Sequence, residues 1–331
     1  MSLEAGAQNA IGVCMGVSPQ DRVVIVTDEA RSHIGAALAD ACQALSAPEL
    51  VLKLEDHMTR PAAGYPESLS KEIEDFSPTV SLFAATALNG ELAFRRPYMD
   101  HVLYGLKLRH GHMVGIDDRV MEEGMAADYA EISKVTARVT EIVKGAREIH
   151  VKTPSGTDMR ARFDPDRLRW RPCPGIFHEP GDWGNLPEGE TFTSPASVDG
   201  VFGAEVLGDH FSSQYGVLSP PVIIEIEKSR ARKVTSGPEG LAEELTEYLG
   251  KHENSDRVGE YAIGTNIALD HLCGNLLQDE KVPGVHIAFG YPYPEETGAD
   301  WNCPSHVDAV AVRSTIKVDG QLLMEDGKFL L

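Results

Sequence analysis

Apolar and polar positions alternate with two different periods along this chain, and the period changes near residue 147. Before that point, short apolar runs are separated by helical patterns. "RVVIVTD" (Arg22 to Asp28) predicts a buried strand, "ARSHIGAALADACQALS" (Ala30 to Ser46) a helix, and "ELVLKLED", "TVSLFAATA" and "HMVGID" three further strands. Strands alternating with helices imply a parallel α/β sheet. "RVMEEGMAADYAEISKVTARVTEIVKGA" (Arg119 to Ala146) predicts one long amphipathic helix, with Met121, Met125, Tyr129, Ile132 and Val135 on its buried stripe.

Beyond residue 147 the period shortens to two. "REIHVKTPSGTDMRARF" alternates about a Pro-Ser-Gly turn, "PPVIIEIEKSRARKVTSG" reads as a strand pair, and "AVAVRSTIKVDGQLLMEDGKFLL" as an antiparallel ribbon turning at Asp319-Gly320. A single helix, Pro238 to His252, interrupts the pattern. The expected fold is an α/β N-terminal domain with a parallel sheet (1-147), followed by a β-rich α+β C-terminal domain (148-331).

Composition narrows the partners. The 331 residues carry a formal net charge of -21, which disfavours nucleic acid and anionic membranes because both demand clustered Lys and Arg. No stretch approaches twenty uninterrupted apolar residues, and the first residues lack the basic and apolar segments of a signal peptide, so a cytoplasmic protein is expected. The five cysteines are scattered and form no C-x-x-C pair, which suggests neither a disulfide framework nor a thiolate zinc cluster. The chain also lacks G-x-G-x-x-G after its first strand, G-x-x-x-x-G-K-[ST], G-x-S-x-G and H-E-x-x-H.

Candidate chemistry lies in the second half. In "SHVDA", His306 and Asp308 are two apart, so on a strand both point to one face. They read either as a ligand pair for a borderline divalent ion or as a histidine hydrogen-bonded to its neighbour. His286, among Val285, Ile287 and Phe289, reads either as a neutral core histidine or as a ligand. Glu190 and Glu260 each follow a glycine and open a short β-prone run. Taken one at a time these residues are weak signals. Together, two imidazoles and three carboxylates form a sensible donor set for a hydrolytic centre with two divalent ions. Elsewhere, His110 and His112 flank a predicted strand as surface or domain-contact groups, Arg95-Arg96 reads as a solvated helix face, and His178 and Trp183 as pocket-lining candidates.

The segments "GDWGNLPEGETFTSPA", "VGEYAIGTN", "GNLLQDEKVPGVHIAFG" and "SHVDAV" together resemble the thermophilic aminopeptidase T family of metallo-aminopeptidases in a short form. The resemblance implies metal ligands at Glu190, Glu260, His286, His306 and Asp308, with Glu260 and Tyr293 active in catalysis. It also implies two zinc, cobalt or manganese ions, a peptide or small amide substrate, and a homodimer. The sequence departs from that family in a shortened loop between His286 and His306. A second departure is Asp279-Glu280-Lys281, with one extra residue before His286, and both are expected to reshape the cavity more than the ligands. Ring-cleaving dihydroxypyridine dioxygenases resemble the same fold and hold one iron(II) through two histidines and a carboxylate. They have a histidine where this chain has Glu260 and none where it has His286, which favours hydrolysis here. A single-metal aminohydrolase on a small molecule is the remaining alternative, and a purely structural metal fits least, since closed structural sites favour cysteine.

Overall fold

Val23–Thr27 consists entirely of β-branched residues, which pack well on a pleated surface, and all five are buried. In the computed structural model, which describes residues 2–331, this strand pairs in parallel with Glu49–Lys53 on one side and Val80–Ala84 on the other. Arg109–His112 and Trp183–Asn185 extend the sheet to five strands, all parallel. The central strands are buried throughout, as expected where helices cover both faces, whereas the edge strand Glu49–Lys53 ends in charges that discourage further pairing.

The chain divides into two units. One extends to Glu131 and includes Gly175–Glu188, and the other comprises Ile132–Pro174 and Gly189–Leu331. The first is the expected α/β domain, and residue 147 falls inside the second. Val139 and Val143 of the helix Tyr129–Val143 belong to the hydrophobic cluster of that second unit, which accounts for the shift.

Several elements differ from the sequence expectation, among them the short helices His210–Tyr215, Leu276–Asp279 and Pro294–Thr297 beside the single one expected in the second half. The long helix is broken into Asp118–Glu122 and Tyr129–Val143. Gly124 lies in the interruption, and Asp128 restarts the helix by accepting hydrogen bonds from the Ala130 and Glu131 amides. The fourth strand of the parallel sheet is Arg109–His112 rather than "HMVGID". His110 and His112 are therefore buried strand residues, not surface groups. His110 Nδ1 pairs with Ser81 Oγ at 2.7 Å, and the His112 ring stacks on Phe83. Burial pushes both imidazoles down, His110 to about 3, so they sit neutral in the core.

The second unit contains an eight-stranded and a six-stranded sheet. The hairpin Glu148–Lys152 with Asp158–Arg162, the pair Val222–Glu227 with Arg230–Ser236, and the ribbon turning at Asp319-Gly320 appear as expected. The six-stranded sheet is antiparallel throughout and runs in space through Val206–Leu207, His306–Val312, Gly284–Gly290, Val258–Gly264, Glu190–Thr193 and Arg171–Cys173. No helix among the described residues is long and apolar enough to cross a membrane.

Candidate metal centre

Register explains how residues from Glu190 to Asp308 meet. In an antiparallel sheet, directly opposed residues share a face. Glu260, Ala288 and Asp308 form one such row, Ala262, His286 and Val310 the next, and Gly290 opposes His306. Glu190 opposes Gly264. All five candidate ligands thus project from one face of the six-stranded sheet. Small residues, Ala262, Gly264, Ala288 and Gly290, space them on that face, with Phe192 and Val310 at its flanks. The opposite face carries Tyr261, Ile263, Val285, Ile287, Phe289 and Val307, which belong to the unit's hydrophobic cluster. One face supplies the core and the other the chemistry.

A bulge between Val258 and Glu260 turns the glutamate into its row. It needs Gly259, because a Cβ there would sit 2.1 Å from the Gly290 carbonyl oxygen. Gly259→Ala is expected to destabilise the protein by about 1–3 kcal/mol, the usual effect of overpacking, and to displace Glu260. Denaturant unfolding checks the first, and a midpoint equal to that of the wild type would contradict it.

The donor atoms converge. His306 Nε2 is 3.3 Å from Asp308 Oδ1 and 3.6 Å from Glu260 Oε2. His286 Nε2 is 3.7 Å from Glu260 Oε1 and 3.5 Å from Glu190 Oε2. Glu260, His306 and Asp308 each offer an atom within 4.8 Å of the others, and Glu280, His286 and Asp308 do the same. His306 Nδ1 donates to the Tyr291 carbonyl at 3.2 Å, which fixes the ring with Nε2 toward the carboxylates, as metal-binding imidazoles are commonly oriented.

Electrostatically the cluster demands cations. Burial raises the Glu260 carboxyl and outweighs the neighbouring histidines, which lower it. Burial alone would lower both imidazoles, yet Glu260, Glu190 and Glu280 hold His286 up at about 9, and Asp308 with Glu260 holds His306 up at about 10. Burial works to raise Asp308 as well, but His306 keeps it below the usual carboxylate range. Glu190 Oε2 is buried without a hydrogen-bond partner. Two carboxylates and an imidazole whose donor atoms lie within 4.8 Å of one another on one buried face, Glu260, Asp308 and His306, are what a divalent cation would satisfy. The residues present therefore fit a metal ion.

Tyr293 also reaches the cluster. Its ring meets the His306 ring edge-on at a centroid distance of 5.3 Å and packs against Phe192 and Tyr291. Burial, with the carboxylates of Glu260 and Asp308, pushes its hydroxyl well above the ordinary range, so it remains a donor at neutral pH. His178 and Trp183 lie in the first unit, where His178 Nε2 contacts the Val13 carbonyl oxygen at 2.8 Å and Trp183 sits on the edge strand of the parallel sheet, 44% exposed.

Two participants escaped the reading of the sequence as ligands. Glu280 and Lys281 belong to the departure expected to alter only the cavity, yet Lys281 Nζ lies 2.9 Å from Glu190 Oε1. Burial, assisted by Glu190 and Asp308 and opposed by Lys281, raises Glu280 to about 7.

Comparison with known proteins gives three findings. The chain matches the family described as NicX, 2,5-dihydroxypyridine 5,6-dioxygenase, over residues 6–264. Among solved structures it is similar to 2,5-dihydroxypyridine dioxygenase from Pseudomonas putida KT2440, with a TM-score of 0.68 and 18% identity over 99% of this chain and 96% of that one. It is also similar to wild-type AmpT from Thermus thermophilus, with a TM-score of 0.73 and 18% identity over 99% of both chains. No curated protein sequence matches. At that identity the two structures establish a shared fold.

Proposed function

The chain belongs to the NicX family, 2,5-dihydroxypyridine 5,6-dioxygenase, and from its own donor set within that family we propose a metal-dependent hydrolase that cleaves an amide bond beside a free amino group, as an aminopeptidase does. Family and fold make it a metal-dependent enzyme. The observation that carries the hydrolytic reading is the Glu260, His306 and Asp308 set, which has two carboxylates and one imidazole. Oxygen-activating iron(II) centres favour two histidines and one carboxylate on a facial triad. Here the two donor triads that include Asp308 contain one imidazole each, His306 in one and His286 in the other.

On this reading Glu260, His306 and Asp308 hold the ion. When bound, it supplies Lewis acidity toward a carbonyl and makes a water acidic enough to attack near neutral pH. The chain's own groups do the rest. The protonated Tyr293 hydroxyl donates to the oxyanion as it develops. Glu280, whose carboxyl burial holds up at about 7, accepts a proton and returns it to the leaving nitrogen.

Family membership favours a second reading, ring cleavage of a dihydroxylated heteroaromatic with iron(II) and oxygen. The match to the family ends at residue 264, so it includes Glu190 and Glu260 but not His286, His306 or Asp308. A panel of aminoacyl amides and short peptides with Zn²⁺, Mn²⁺ or Co²⁺ is expected to show hydrolysis, with no oxygen consumed when iron(II) and dihydroxypyridines are supplied instead. Oxygen uptake at catalytic rates, with every amide left intact, would overturn the hydrolase.

A further inference from the structure

Glu190 divides its two oxygens. Oε2 faces His286, while Oε1 is 2.9 Å from Lys281 Nζ. The same ammonium is 2.9 Å from Glu280 Oε1, and the lysine side chain has no exposed surface. Its backbone is pinned: the Lys281 amide donates to the Gln278 carbonyl at 2.9 Å, and its carbonyl accepts from the Asn266 amide at 3.0 Å. Just before it, Asp279 accepts hydrogen bonds from the Cys273 and Gly274 amides at 2.7 Å each, closing the turn. Gly264, opposite Glu190 in the sheet, lets this backbone approach, because a Cβ there would be 2.1 Å from the Val282 carbonyl oxygen and 2.9 Å from that of Lys281.

A fully buried ammonium persists only against carboxylates, and this one has two of them. A zinc-type ion binds carboxylate oxygen at about 2.0–2.2 Å. An ion sharing Glu190 Oε1 and Glu280 Oε1 would therefore crowd Nζ, with like charges in contact.

We propose that the Lys281 ammonium takes the position of a second cation, so that the centre holds a single divalent ion at Glu260, His306 and Asp308, beside a metal-free cluster of Lys281, Glu190 and Glu280. This rests on the metal-centre reading above and narrows it from two ions to one. Glu190, a ligand in the resembled family, here serves as the partner of an internal cation.

Native mass spectrometry with Zn²⁺ alone, alongside electron paramagnetic resonance with Mn²⁺ alone, tests it on the full chain. The wild type is expected to take one ion and show an isolated manganese spectrum. Lys281→Met, which keeps volume and removes charge, is expected to take two ions and show a spin-coupled pair, whereas Lys281→Arg stays at one. Two ions in the wild type, or one in a folded Lys281→Met variant, would overturn the proposal and leave the metal centre intact. No ion in the wild type would sink both. If Lys281→Met does not fold, the wild-type count and the Lys281→Arg variant still decide, with two ions in either overturning the proposal.

Discussion

Glu260→Ala is expected to weaken divalent-ion binding by at least about a hundredfold and to remove turnover with it. Its two oxygens lie 3.7 Å from His286 Nε2 and 3.6 Å from His306 Nε2, so it is the carboxylate that both imidazoles share. Even partners one step removed from an ion alter affinity by about 10–100-fold when replaced, and a direct ligand should exceed that. The measurement is a thermal melt with and without Zn²⁺. At about a hundred times the dissociation constant, binding stabilises the wild type by about 2.7 kcal/mol, a shift that Glu260→Ala should lose. An equal metal-dependent shift in the variant would remove Glu260 from the ligand set.

Arg60→Met is expected to destabilise the α/β unit by about 3–5 kcal/mol, the usual effect of stranding buried charges. Arg60 Nε and Nη2 bind both Glu91 oxygens at 2.9 and 2.6 Å, Nη2 also donates to the Thr86 carbonyl, and Nη1 donates to Asp28. Both carboxylates are 1% exposed. Asp28 follows the central strand Val23–Thr27 and accepts from the amides of Arg31 and Thr86 as well, so the network ties the ends of two parallel strands to one loop residue. Burial alone would raise Asp28, but hydrogen bonds from Thr86 and Arg60 hold it below its ordinary value. A depressed carboxyl contributes stability above its unfolded pKa, about 3.9, and loses it as pH falls through the lower folded value. In Arg60→Met the stranded Asp28 carboxyl rises instead and takes up a proton in the folded state. The gap between the proteins should thus be widest at neutral pH and narrow as pH falls toward and below about 4. Urea unfolding at pH 7 and pH 3.5 checks it, and a difference under about 1 kcal/mol at pH 7, the level of an exposed ion pair, would contradict it.

Where local chemistry and tertiary context agree, the fold could be read from the sequence. Val23–Thr27 is β-branched throughout and buried throughout, and Asp319-Gly320 turns the terminal ribbon with both residues at positive φ. The reading failed where context reverses a residue's usual preference. Helical spacing of Met121, Met125 and Tyr129 continues across the Gly124 break, because all three are buried on the two sides of it. Arg109–His112 looks polar, yet its histidines lie neutral in the core.

At the centre, no spacing within any one segment joins Glu190 to Asp308, and only the resemblance of several segments together suggested it. The sheet register supplies the physical reason, by bringing alternate residues of four strands to one face. Lys281 was legible only as a departure. A lysine after Asp279 and Glu280 looks like a solvated turn, and the missing Cβ of Gly264 is what lets its backbone approach the strand Val258–Gly264.

Anomalous diffraction from crystals of the protein loaded with Zn²⁺ decides whether this face of the sheet holds the ion. A peak is expected within about 2.0–2.2 Å of donor atoms of Glu260, His306 and Asp308, with Tyr293 beside it. No peak on that face of the sheet, or zinc bound only elsewhere, would contradict it.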